Sequence, residues 1–273
     1  MSLPSERVFV FHFPPVPHVY SVCPFAIKLE SFLRINGIPY EPVYTTGQMS
    51  KKGMMPYIRF GDPEHGDELP DSNVIIARFQ KEYPQVTDNN LTPMDRAVTH
   101  TITRMLEEHT AQIGFYYRYG LKMPEFYESL DIADRFGNPK GTDMWLKFQP
   151  DATKDKTKKR GLSRHSDEEI WAFSNDDIQA LSDILGDKKY FFGDVPTLAD
   201  CAVFGHLSQF LFIPIDFPQR AYMKEQCPNL VQFVDNFQRE HWPDWEECCQ
   251  KKPNARFAKK AVAANDAAEE KKE

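Results

Sequence analysis

The sequence has little of what marks secreted, membrane-spanning or disulfide-bonded proteins. Its cysteines are few and odd in number. Their positions, 23, 201, 227, 248 and 249, have neither the spacing of a disulfide framework nor that of a zinc site. No apolar run reaches the roughly 18 residues that cross a bilayer. The start lacks the basic stretch and apolar core of a signal peptide. We therefore expect a cytoplasmic protein without a transmembrane segment.

Positive charge and metal-ligand patterns are also scarce. The formal net charge is -7 and the pI is about 5.7, so no nucleic-acid partner is expected, because binding phosphates needs an excess of Lys and Arg on one face. No GxSxG motif, Gly-rich phosphate loop or paired-ligand motif occurs. His100 and His109 lie in one predicted helix at a spacing that does not suit paired ligation. The sequence predicts no metal site.

What is present is enough chain for two folded domains, since the 273 residues are 41% hydrophobic and 27% charged. The first part reads as an α/β unit, with strands at 8–13, 40–44 and 57–60, a helix from Pro24 to Asn36, and a helix that starts after Asp71-Ser72. Helical patterns follow almost without strand signals. We predict an α/β domain at 1–86, an all-α domain at 87–250 and a charged tail at 251–273.

Two segments of the helical part are predicted to lie outside its core. Residues 85–93, with Asn89-Asn90 and Pro93, indicate a linker. Residues 137–168 are polar and contain a basic run, which favours a mobile surface insertion.

Cys23 is the strongest chemical candidate. Cys23-Pro24-Phe25-Ala26 stands where a strand and a loop lead into the first helix, which places the sulfur at a helix N-terminus. The unpaired N–H groups there stabilise a thiolate, so the sequence predicts a lowered pKa and a nucleophile at neutral pH. Ala26 stands where a resolving cysteine would be, so only exchange with an external thiol is available. The alternative is a buried, inert cysteine.

Two further pairs of adjacent residues, Met55-Pro56 and Asp71-Ser72, each allow both a structural and a ligand-binding interpretation. Met55-Pro56 precedes the third strand, and a cis bond there would turn the backbone of Met55 outward to pair with an extended peptide-like ligand. Asp71-Ser72 at a helix start is either a plain N-cap or a carboxylate site made by exposed N–H groups.

Taken together in this order and spacing, the three motifs resemble the glutathione site of the glutathione-transferase superfamily. The resemblance implies a thioredoxin-like N-terminal domain followed by an all-α C-terminal domain, with glutathione as cosubstrate. It implies that Met55 beside Pro56 pairs with the cysteinyl backbone of glutathione, and that Asp71 and Ser72 hold the γ-glutamyl end. Cys23 resembles the active cysteine of omega-class enzymes, and the second substrate would be a small electrophile or a disulfide. Dimerisation, usual in the superfamily, implies a homodimer.

Within the superfamily the closer resemblance is to failed-axon-connections and metaxin-like proteins. It is carried by Ser21–Glu30, Ser50–Pro56 and Leu106-Glu-Glu-His109. Not all of these proteins are enzymes, so a non-catalytic adaptor that keeps the transferase fold is the alternative function. The short segment Thr46–Gly53 replaces a helix that contacts the glycine carboxylate in most transferases, and Lys51 or Lys52 is the candidate substitute.

The helical part adds two expectations. Val195–Cys201 resembles the buried capping box of the second domain of these transferases, with Thr197 capping the helix and Asp200 returning a hydrogen bond. The aromatic run Phe115–Tyr119 either lines a pocket that faces Cys23 or packs in the core between the domains.

Overall fold

The computed structural model describes residues 6–251 except 47, 84, 85, 87, 89, 90 and 138. Apart from Lys251, the predicted tail lies outside the described residues. The same holds for Asn89 and Asn90 of the predicted linker.

A small mixed sheet is the centre of the N-terminal part. Its strands are β1 (Val8–His12), β2 (Tyr40–Tyr44), β3 (Tyr57–Phe60) and β4 (Glu68–Pro70), in the order β2-β1-β3-β4. β2 runs parallel to β1, whereas β3 is antiparallel to β1 and β4 is antiparallel to β3. The three predicted strands are confirmed. The fourth follows a turn rich in Gly, Asp and Pro, and its three residues are too few to show a period.

Two helices cover this sheet. Helix α1 (Pro24–Ile35) begins with proline at its first position, and Gly37 follows it with a φ of 62°, as expected of a helix stop. Helix α2 (Ser72–Glu82) begins at the predicted Asp71-Ser72 pair. Both predicted helices are confirmed, and the loop from Phe13 to Cys23 connects β1 to α1.

The helical part starts with a continuous helical stretch that changes its pitch. Helix α3 (Pro93–Met105) passes through a π-helical segment (Leu106–Thr110) into α4 (Ala111–Phe115), and a second π-helical segment (Tyr116–Leu121) follows. Each π-helical segment shifts the register of the side chains after it, and such segments often occur at functional sites. The later helices are α5 (Met123–Ser129), α6 (Ile132–Phe136), α7 (Pro139–Lys159), α8 (Asp167–Leu185), α9 (Leu198–Phe212), α10 (Pro218–Gln226), α11 (Pro228–His241) and α12 (Trp245–Gln250).

The predicted surface insertion at 137–168 is wrong. Most of it forms α7, whose Trp145 ring contacts Tyr119 with 5.4 Å between ring centroids. Its buried positions include Thr153 and Thr157. Because threonine supplies part of the buried face, the apolar period was too weak to identify this helix from sequence.

Helix α9 joins the two parts of the molecule. The predicted capping box is confirmed, because the Thr197 N–H donates to the Asp200 carboxylate over 2.7 Å. Farther along, a Cβ added at Gly205 would lie 2.7 Å from the carbonyl oxygen of Pro24 and 2.9 Å from the nitrogen of Lys28. α9 therefore packs against the first turn of α1 at backbone distance, which places the start of α1 against the helical part.

Candidate functional site

A cavity of about 700 Å³ lies between the two parts of the molecule. The N-terminal part contributes the start of α1 and the segment before β3, and the helical part contributes the second π-helical segment and α7. Most of the lining side chains are aromatic, methionine or uncharged polar groups: Phe13, Phe25, Met49, Met54, Met55, Gln112, Phe115, Tyr119, Phe136, Thr142, Trp145, Gln149, Thr153 and Thr157. Cys23, Arg118 and Lys156 also line it.

Cys23 is the N-cap residue of α1 and lies in the cavity wall with 8% of its surface exposed. Its backbone N–H donates to the Ser21 hydroxyl over 3.2 Å, and its carbonyl accepts from the N–H groups of Ala26 and Ile27. The predicted position at the helix N-terminus is confirmed.

The charge state predicted for Cys23 is wrong. Burial raises the pKa of Cys23, and the backbone N–H groups of Ala26 and Phe25, together with the positive charges of Arg118 and Lys28, offset this only in part. A helix N-terminus is recognisable from sequence but burial is not, and burial disfavours the charged form of a thiol. Burial therefore outweighs the helix N-terminus and raises the pKa of Cys23 above that of an ordinary thiol.

Met55 and Pro56 lie where the sequence places them. The bond between them is cis, Met55 lines the cavity beside Met54, and Pro56 is buried just before β3. The Met54 N–H donates to the Ser50 hydroxyl over 2.9 Å, which holds the turn before this bond. The structure thus brings Met55 and Cys23 to one cavity.

Asp71 and Ser72 form the start of α2 and are not among the residues that line the cavity. Asp71 Oδ1 accepts from the N–H of Asn73 at 2.8 Å and of Val74 at 3.2 Å, so Asp71 is the N-cap of α2. Ser72 is buried. Lys51 and Lys52 are exposed and do not line the cavity. The next residue, Gly53, does line it.

The aromatic run lines the cavity with one side, as predicted, and packs within the helical part, rather than between the domains, with the other. Phe115 and Tyr119 line the cavity. Tyr116 instead donates to Asp167 over 3.0 Å, and Tyr117 packs against Phe217 with 5.1 Å between ring centroids. One side of the aromatic run therefore lines the cavity, and the other belongs to the core of the helical part.

Arg118 is the residue that the sequence analysis missed. Its Nη2 donates to the Val22 carbonyl over 2.5 Å, and its Nη1 donates to Gln209 Oε1 over 2.8 Å. Gln209 in turn donates to the Ser21 carbonyl over 3.1 Å. The loop that carries Cys23 is thus held by two side chains of the helical part. The only signal was a cation inside an aromatic run, which is equally typical of a surface arginine.

A second polar network connects α1, α2 and the first π-helical segment. The Lys28 ammonium contacts Glu107 and donates to Asn73 Oδ1 over 2.6 Å, and Asn73 donates to Glu107 Oε2 over 2.6 Å. Burial raises the pKa of Glu107, but the Lys28 charge and hydrogen bond outweigh it, so the pKa is lowered. Lys28 and Glu107 belong to two of the segments that carried the sequence resemblance.

Some kinds of site are not seen in the described ranges. No helix there has both the length and the apolar character to cross a membrane. No group of three or more His, Cys, Asp or Glu side chains in those ranges is arranged to hold a metal ion.

Comparison with known families gives matches in both parts of the chain. A family model described as glutathione S-transferase N-terminal domain matches residues 24–125, and one described as glutathione S-transferase, C-terminal domain, matches residues 174–237. Failed axon connections of Drosophila melanogaster is 34% identical over 90% of this chain. The chain spans 61% of that relative's length. Isoprene-epoxide–glutathione S-transferase of Rhodococcus is 24% identical over 86% of this chain and 99% of its own.

Solved structures have the same fold at low sequence identity. A glutathione S-transferase of Ceriporiopsis subvermispora, in complex with glutathione, has a TM-score of 0.55 at 14% identity and covers 91% of this chain and 99% of its own. Glutathione transferase Omega 1C of Trametes versicolor has a TM-score of 0.55 at 14% identity and covers 95% of this chain and 96% of its own.

Proposed function

The chain belongs to the glutathione S-transferase superfamily, and we propose that it binds glutathione in the cavity and exchanges thiols with it through Cys23, as omega-type transferases do. The observation that carries the proposal is the meeting of Cys23 with Met55 in the wall of one cavity. A cavity of about 700 Å³ has room for a tripeptide and a second small molecule.

The proposed reaction proceeds in two exchanges. The Cys23 thiol gives its proton to solvent, and the thiolate attacks the glutathione sulfur of a disulfide. The bond between the two disulfide sulfurs breaks, and the other sulfur leaves as a thiolate that takes up a proton from solvent. A second glutathione thiolate then attacks the mixed disulfide at the glutathione sulfur, which releases Cys23 and forms glutathione disulfide. Ala26 provides no internal thiol, so an external one must complete the cycle.

Four residues are proposed to hold the tripeptide. Met55, beside Pro56, would pair with its cysteinyl backbone. Asp71 and Ser72 would hold its γ-glutamyl end at the N-terminus of α2, where the helix dipole favours a carboxylate. Asp71 Oδ1 already caps α2, so its remaining carboxylate oxygen would receive the ligand amine.

A direct test is the mass of the intact protein after incubation with oxidised glutathione. Wild type should gain one glutathione, and reduced glutathione should remove it. Cys23→Ser should gain none, while the matched control Cys201→Ser, a buried cysteine of α9, should behave as wild type. Equal labelling of wild type and Cys23→Ser would overturn the proposal.

The second candidate function is a non-catalytic adaptor with the transferase fold. The raised pKa of Cys23 favours it, because a neutral thiol is a poor nucleophile. Absence of retention on immobilised glutathione, together with no labelling of Cys23, would select this function. For either function we propose a cytoplasmic location, because the five free cysteines suit a reducing compartment. The homodimer is proposed only because dimers are usual in the superfamily.

A further inference from the structure

Two buried nitrogens near the loop that carries Cys23 have no hydrogen-bond partner among the described residues. They are Nε of Arg118 and Nε2 of His206, and each of these residues exposes only 2% of its surface. A polar group that is buried loses the hydrogen bonds that water gave it, so such groups are nearly always paired in folded proteins. We therefore expect a partner other than a side chain or the backbone.

The two nitrogens have opposite hydrogen-bonding roles. Nδ1 of His206 lies 2.8 Å from the carbonyl oxygen of Ala202, one turn earlier in α9, and a carbonyl only accepts, so Nδ1 carries the proton. Burial lowers the pKa of His206 to about 4, so the ring is neutral at neutral pH and its Nε2 is an acceptor. Nε of Arg118 keeps its proton and is a donor. A single group that both accepts and donates would satisfy the two.

Arg118 and His206 line one small cavity of about 10 Å³. The rest of its wall comes from the start of α1, from α4 and from α9 with the loop after it: Pro24, Ala111, Gly114, Phe115, Gln209, Phe210 and Phe217. A space of this volume holds one water molecule, and an internal water needs at least two polar partners. The cavity offers both the space and the partners.

We propose that one internal water molecule occupies this cavity, where it accepts a hydrogen bond from Arg118 Nε and donates one to His206 Nε2. The other side of the guanidinium donates to Gln209 and to the Val22 carbonyl, next to Cys23. The water thus fixes the arginine that holds the loop before Cys23.

This arrangement makes His206 a positioning residue for that loop. His206 lies in α9 and is not among the residues that line the large cavity, so it acts through the water and Arg118. The inference does not depend on glutathione binding or on thiol exchange.

Two measurements on the wild-type chain test the water itself. A crystal structure at a resolution that shows ordered water should have a density peak within about 3 Å of both nitrogens. Long-range ¹H–¹⁵N NMR spectra of the imidazole at neutral pH should show Nδ1 of His206 protonated and Nε2 unprotonated. A well-ordered cavity without that peak, or a protonated Nε2, would overturn the inference.

Variants of His206 test its effect on the Cys23 loop. His206→Phe keeps a ring, removes the acceptor and fills the cavity. Iodoacetamide should then alkylate Cys23 severalfold faster than in wild type at the same pH, because Arg118 loses a partner and holds the loop less firmly. His206→Gln places an amide near the position of Nε2 and should restore the water and the wild-type rate. His206→Leu serves as the apolar variant if His206→Phe does not fold.

Ser208→Ala is the matched control in the same helix. Ser208 is buried, its hydroxyl donates to the Gly205 carbonyl of α9, and it is not among the residues that line the small cavity. The variant should lose this hydrogen bond and keep the wild-type alkylation rate of Cys23. Equal rates in wild type and the apolar His206 variant, or the same acceleration in Ser208→Ala, would exclude the positioning role. A wild-type chain that has the water but takes up no glutathione counts only against the proposed function.

Discussion

The Lys28 ammonium and the Glu107 carboxylate form an ion pair from which water is almost completely excluded, at the junction of α1, α2 and the first π-helical segment. Asn73 bridges the pair from α2. This polar network therefore links α1, the helix that begins after Cys23, to α2 and to the first π-helical segment.

Breaking this pair on one side should be strongly destabilising. We expect Glu107→Gln to lower the free energy of unfolding by about 3–5 kcal/mol, because it leaves a buried ammonium without its counter-charge. The double variant Lys28→Met/Glu107→Gln should lose less than the sum of the single variants in denaturant titrations. Additive losses would show that the pair is not coupled.

The same pair predicts a pH dependence. The pKa of Glu107 is lowered in the folded state, so its contribution is complete above the pKa of the unfolded chain, about 4.3, and is lost as the pH falls through the folded value. Wild type should thus lose stability on acidification below about pH 4.3 more steeply than Glu107→Gln. Parallel pH profiles of the two proteins would contradict this.

Asp200 should have the opposite pH dependence. Burial raises its pKa to about 6, although Thr197 and the Phe191 N–H hydrogen-bond to the carboxylate. Its contribution is therefore complete below the unfolded value of 3.8 and is lost as the pH rises through about 6. Asp200→Asn should flatten the stability profile between these values, as measured by thermal unfolding. Asp200→Ala removes the capping bonds as well and should cost at least about 1 kcal/mol without changing Cys23 chemistry.

Gly205 should tolerate no side chain. Gly205→Ala would place a Cβ 2.7 Å from the Pro24 carbonyl oxygen and force α9 away from α1, at a cost of about 1–3 kcal/mol. Gly114→Ala is the matched control in another helix, because its new Cβ would meet only the edge of the Phe210 ring, at 3.0 Å. Similar stabilities of the two variants would argue against the close approach of α9 and α1.

The reactivity of Cys23 should follow its burial. Because burial raises its pKa above the usual value of 9.0, alkylation by iodoacetamide should remain slow at neutral pH and accelerate as the pH rises past that value. Mass spectrometry of the modified peptide, in wild type and in Cys23→Ser, measures this rate. Rapid alkylation near pH 6 would instead restore the thiolate predicted from sequence.

The Asp71-Ser72 pair should matter for ligand binding beyond its role as a cap. Asp71→Ala together with Ser72→Ala should weaken glutathione at least tenfold in calorimetry, or about 1.4 kcal/mol. Thr92→Ala is the control, since Thr92 caps α3 in the same manner and is not among the cavity residues. If both variants bind glutathione equally well, the anchoring role is excluded.

Local patterns were sufficient for much of the fold. Strand β1 was predicted from its β-branched and aromatic run, α1 from Pro24 and Gly37 at its two ends, and the cap of α9 from Thr197 and Asp200. Each of these signals lies within a few residues of the element that it specifies. Helix α7 was not predicted, because threonine provides part of its buried face. Strand β4 was not predicted, because three residues show no periodicity.

The features of the candidate site also fall into local ones, which the sequence predicts, and long-range ones, which it does not. Sequence neighbours are enough to specify that a cysteine caps the first helix and that Met55-Pro56 precedes β3, because both are local relations along the chain. The direction in which the pKa of Cys23 shifts and the environment of Arg118 depend instead on long-range packing. Burial and counter-charges depend on which distant segments enclose a group, as when α9 and the π-helical segment enclose the loop before Cys23, and no local pattern encodes that enclosure.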